Sequence, residues 1–162
     1  MRYGLSFLTA LAWGLWLGGL MTLFLTVSRL FAVNHANAVV AAPQMFIVFE
    51  RYQLALAAAS LIGSAFWRLR EPRAILSVIF SLFAVASIAT VVQTTLISAK
   101  MHHLREMGES SGPEFMRLHG ISMAVYMSEA TVLLVAGFLL VGAIGSRARG
   151  KTVATSEAPA CA

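Results

Sequence analysis

Glu129 is the only Asp, Glu, Lys or Arg between Arg117 and Arg147, and polar residues precede it at helical spacing. His119, Ser122, Tyr126 and Glu129 recur at intervals of three and four, so a helix stacks them on one face. At ~1.5 Å per residue, Glu129 then lies about 15 Å below His119. Three other stretches offer comparable stripes: Thr90, Gln93, Ile97 and Lys100; Thr22, Thr26 and Arg29; and Glu50 with Gln53. Such stripes either hold a ligand or hydrogen-bond only to one another. If they hold a ligand, the cations Arg51, Lys100 and Arg117 would attract negative charge, and the expected ligand is a small anion, a lipid head group or a partner. His119 would tune that attraction near neutral pH.

Histidine and methionine raise a second chemistry. His102, His103, His119 and Met116 are candidate ligands for copper or haem, because imidazole and thioether both suit copper. Against this, His102 and His103 are adjacent, so on a helix they diverge by about 100° and do not chelate one ion as an i, i+4 pair does. Catalysis is not expected. The chain contains no paired-histidine metalloprotease helix and no phosphate-cradling glycine loop.

The elements that must position these residues follow from composition. Of 162 residues, 59% are hydrophobic and only 12% charged, and the mean hydropathy of +0.79 is too apolar for a water-soluble domain. Residues 3–28, 52–67, 74–99 and 130–146 contain no Asp, Glu, Lys or Arg, and such runs approach the ~20 residues that cross a bilayer. The expected fold is all-α: an integral membrane, antiparallel four-helix bundle with helices at about 5–31, 43–68, 74–100 and 117–145. Within it, a carboxyl at mid-depth must face protein, since exposing a charge to lipid there costs at least ~2.5 to 3.5 kcal/mol. Four inward stripes would enclose a polar pocket open to the outside.

Local signals set the expected boundaries. Pro43 suits a helix first turn, where its missing N–H costs nothing. Gly108, Ser110, Ser111, Gly112 and Pro113 read as a polar connection. Residues 147–162 read as a polar, disordered tail. Ala36-Asn37-Ala38 resembles a signal cleavage site, but it lies well beyond the end of a run already too long for a signal core. Gly14 and Gly18 form a small-xxx-small pair that suits close helix packing, within the chain or in a homo-oligomer. The lone Cys161 excludes an internal disulfide.

Net charge is +5 without a basic run longer than two residues, which is a membrane-topology pattern and not a nucleic-acid-binding one. Seven Lys and Arg fall on one side (Arg2, Arg68, Arg70, Arg73, Arg147, Arg149, Lys151) and five on the other. Both termini are therefore expected in the cytoplasm of a cell with this protein in its plasma membrane, the inner membrane of a bacterium.

Three sequence pieces together resemble a known pattern: Trp16-Leu17-Gly18-Gly19, Phe49-Glu50-Arg51-Tyr52, and Phe115-Met116-Arg117-Leu118-His119-Gly120-Ile121-Ser122. The chain is similar, over about residues 5–145, to the transmembrane protein 205-like family, a four-span membrane domain of unknown function. The resemblance implies a membrane protein with no established catalytic mechanism, some members being associated with tolerance to metal-containing drugs. It places Arg51, Tyr52, Arg117, His119 and Ser122 on motif positions. Glu50 and Tyr126 depart from the pattern, where proline and asparagine are frequent. Adding Lys100 and Glu129 from spacing completes the expected ligand-binding set. A third expectation is a non-catalytic assembly subunit of a membrane complex, with Gly14 and Gly18 as its contact face.

Overall fold

The computed structural model describes the backbone of residues 2–156 and the side chains of residues 4–146. It is all-helical, with no strand among the described residues: α1 (Arg2–Val33), α2 (His35–Arg70), α3 (Ala74–Val92), a π-helical stretch (Gln93–Ser98), α4 (Ala99–Glu106) and α5 (Pro113–Ser156). Since α3, the π stretch and α4 run on without a break, the chain forms four long helices, each long and apolar enough to cross a membrane. At ~1.5 Å per residue every one exceeds the ~30 Å hydrocarbon core. Their outer faces carry Phe7, Leu25, Val40, Leu69, Ile88 and Phe138, all more than 60% exposed, a surface of the kind that a membrane or a partner covers.

The joints are short and chemically specified. Asn34 alone separates α1 from α2; its backbone is extended (φ −153°, ψ 97°) and its side chain accepts from the Asn37 N–H at 3.1 Å. This cap moves the start of α2 to His35 and leaves Pro43 inside the helix, correcting the expected start at Pro43. Asn34→Ala is expected to cost about 1 kcal/mol, read as a lower midpoint of SDS unfolding in mixed micelles, whereas Asn37→Ala keeps the cap and the midpoint. α2 ends before Pro72, which forces Glu71 out of helical geometry (φ −137°, ψ 86°).

α4 closes with a Schellman motif. Gly108 takes φ +80°, and the N–H groups of Gly108 and Glu109 return to the carbonyls of Arg105 and Leu104 at 3.0 and 2.9 Å. α5 then starts at Pro113, earlier than the expected 117. Proline fits the first helical position, and Glu114 in the first turn suits the positive helix end. Its backbone stays helical to Ser156, past the expected end at 145; residues 157–162 of the expected tail lie outside the described residues.

Two packing zones lie along the helices. Trp16, Trp67, Leu76, Ile79, Phe83, Leu133 and Leu140 build an apolar zone toward the Pro72 turn, with Leu20, Leu23, Phe49, Tyr126 and Ala130 clustered toward the other end. Glycines set the closest approaches. A Cβ on Gly63 would stand 2.6 Å from Thr9 Oγ1, and one on Gly137 would stand 2.0 Å from Trp13 Cζ2. Gly19 lies beneath the rings of Phe49 and Tyr52, so two of the three motif pieces touch. Gly14 and Gly18 do not pack within the chain: both are exposed, with nothing within 4 Å of where a Cβ would stand.

Candidate functional site

All four helices send one polar side chain to a common point. Trp16, Gln53, Thr90 and Glu129 each lie within about three residues of the midpoints of the apolar runs Gly4–Val33, His35–Arg70, Ala74–Glu106 and Pro113–Ser146. Trp16 Nε1 donates to Glu129 Oε1 at 2.8 Å, and Gln53 Nε2 donates to the same oxygen. Thr90 Oγ1 stands 3.3 Å from it, sharing one proton between that oxygen and the Ala86 carbonyl at 3.1 Å. Glu129 is 1% exposed and Trp16, Gln53 and Thr90 not at all.

A second layer lies one turn away, on the same helix faces. Glu50 Oε1 accepts from Tyr126 OH at 3.1 Å and from Ser98 Oγ. Gln93 Nε2 donates to Ser122 Oγ at 2.8 Å and to Ser98 Oγ at 3.1 Å. The layers are joined by their spacing: Glu50 precedes Gln53, Tyr126 precedes Glu129 and Thr90 precedes Gln93, each by three residues. Ser98 is half-buried, so the chain of polar groups runs from mid-helix to the edge of the interior.

The π stretch makes the second layer possible. Its wider turn shifts the helical register, and such segments recur at functional sites. Beyond Ile97 the inward face continues through Met101 and Leu104, and Ser98 swings to Glu50. Lys100, expected on the inward stripe, is therefore turned out and pairs with Glu114 at 2.5 Å.

Electrostatically this interior is acidic. Among the described residues no Arg, Lys or His is buried, while Glu50 and Glu129 both are. Three acceptors, Glu129 Oε2, Gln53 Oε1 and Gln93 Oε1, and three hydroxyls, those of Ser60, Ser87 and Thr94, are buried without a partner among the described residues. Unpaired buried acceptors are costly in any low-dielectric interior.

Of the residues expected to bind a ligand, Ser122 and Glu129 lie in this interior. Arg51, Tyr52, Lys100, Arg117 and His119 are exposed and line no common pocket with them. Arg117 lies near the Lys100–Glu114 pair, and His119 stacks on Phe115, the ring centroids 6.5 Å apart. Thr22, Thr26 and Arg29 are exposed as well, so α1 contributes through its tryptophans and not through that stripe. The copper or haem candidates do not converge. His102 Nδ1 sits 3.2 Å from Glu106, His103 and Met116 face outward, and no group of three His, Cys, Asp or Glu among the described residues could hold a metal ion.

Spacing had not singled out Trp16. Tryptophan prefers the membrane–water boundary, so an indole in the middle of a 30-residue apolar run was a legible sign that its N–H needed a partner. Comparison of the chain with family models, curated proteins and solved structures finds no match.

Proposed function

We propose that this chain is an integral membrane protein, an antiparallel four-helix bundle, whose buried carboxylates bind and pass a monovalent cation, the proton. The bundle reading is supported by contacts at rising positions on α1 against falling ones on α2: Thr9 meets Gly63, and Gly19 meets Phe49 and Tyr52. The seven-to-five distribution of basic residues supports cytoplasmic termini, and a bacterial inner membrane is part of the same proposal. Membership of the transmembrane protein 205-like family belongs to the same proposal, supported by the contact between its first two motif pieces.

One observation carries the functional reading. A carboxylate at the middle of four apolar helices is held by three donors on one oxygen, has no basic partner, and keeps its second oxygen free. Intramembrane acids of this kind mark ion and proton routes. A metal ion seeks several oxygen ligands, whereas one free carboxyl oxygen suffices for a proton. Glu50 stands between Glu129 and half-buried Ser98 and so forms the next station toward the surface.

The test is proton uptake into proteoliposomes carrying a trapped pH dye, driven by a potassium diffusion potential. The purified protein is expected to acidify the lumen equally in sodium and choline media, and Glu50→Gln to slow uptake about a hundredfold, the scale of losing a positioned proton donor. Traces that match empty vesicles would sink the reading. Uptake that appeared only with sodium would replace the proton by that ion.

A further inference from the structure

The α2–α3 turn holds a feature unrelated to the buried acids. A cavity of about 600 Å³ opens there, lined by Arg68, Arg73, Ala74, Ser77, Leu69 and Phe80 among others. The Arg68 guanidinium lies 5.6 Å over the Phe80 ring, which leaves its in-plane N–H groups open, and no carboxylate among the described residues pairs with it. Arg73 bridges Glu71 at 3.1 Å and reaches Ser146 Oγ at 3.5 Å. Glu71 is the one carboxylate in this turn, against Arg68, Arg70 and Arg73.

The backbone adds to the positive potential. α3 begins at Ala74 with no side-chain cap from Arg73, and Ala74 and Ser77 of its first turn line the cavity, so the positive end of the helix dipole lies beside it. Arginine, a hydroxyl and a helix N-terminus around one space form the donor set that phosphate takes. The remaining wall is apolar and continues onto Leu69, which is 78% exposed. We infer that this cavity binds the phosphate of an anionic phospholipid, with the acyl chains running along Leu69 and Phe80. Free phosphate would use the same donors but not the apolar wall. The inference rests on membrane insertion as proposed above and not on the cation site.

The experiment reconstitutes the full chain in vesicles of phosphatidylcholine, with and without phosphatidylglycerol, and reads retained lipid by native mass spectrometry. One phosphatidylglycerol per chain is expected to survive gentle extraction. Arg68→Gln should reduce retention about tenfold, the scale of losing one hydrogen bond to a charged group, while Arg70→Gln, outside the cavity, should not. Ser77→Asp separates binding from folding: an acid in the first turn suits the helix but repels phosphate, so retention should fall with unfolding unchanged. Equal losses from Arg68→Gln and Arg70→Gln would mean diffuse surface charge and overturn the site. Inorganic phosphate that displaced the lipid at millimolar concentration would overturn the lipid assignment. Loss of proton uptake with lipid retained would count against the cation reading alone.

Discussion

Glu129→Gln is expected to leave the protein folded and its proton uptake abolished, reduced to the level of empty vesicles. The amide keeps the volume and the Oε1 acceptor that Trp16, Gln53 and Thr90 address, so SDS unfolding should shift by less than about 1 kcal/mol, near the ~0.6 kcal/mol of a membrane hydrogen bond. What it loses is the group that carries charge. Glu129→Leu should lose both properties. It strands the Trp16 and Gln53 donors, and it removes the incentive to hide a carboxyl from lipid, together worth roughly 3 kcal/mol. The pair of variants separates function from framework. Equal uptake by Glu129→Gln and the unchanged protein would leave Glu129 a structural residue.

The other large effect is expected at Gly137, remote from any acid. A methyl there would stand 2.0 Å from Trp13 Cζ2, and the indole cannot retreat freely because its N–H is fixed on the Leu133 carbonyl at 2.7 Å. Gly137→Ala should therefore cost about 2 to 4 kcal/mol, the sum of overpacking and a weakened hydrogen bond. Adding Trp13→Ala should recover part of the loss by making room. The double variant should then be more stable than additivity predicts by at least about 1 kcal/mol. Strict additivity would show that the two residues do not press on one another.

Apolar runs and their lengths were legible in the chain because the hydrocarbon criterion needs only composition over some twenty positions. The ends of helices were not. Pro43 and Pro113 exchange their expected roles, and the reason lies in their neighbours. Asn34 offers a cap nine residues before Pro43, so the helix is already running when proline arrives. Gly108 ends α4 by itself, freeing Pro113 to begin α5.

The inward faces of α2, α3 and α5 were readable at Gln53, Thr90, Gln93, Ser122 and Glu129, since a three-and-four spacing holds while the helix stays regular. It failed at Lys100, beyond a π stretch that no periodicity announces. It failed again on α1, where Thr22 and Thr26 are exposed on the outer face and the Trp16 indole N–H supplies what the acid requires. Charge alone suggested a pocket for anions. The structure places acids and not bases in the interior: Arg51, Lys100, Arg117 and His119 are exposed, while Glu50 and Glu129 are buried between the helices.

The joint at Asn34 has a consequence for biogenesis. On the proposed membrane reading, a single residue between two helices leaves no slack for separate threading, so the first pair is expected to leave the ribosome and enter the lipid together, as a closed hairpin. Its tip then offers proteases almost nothing to grip.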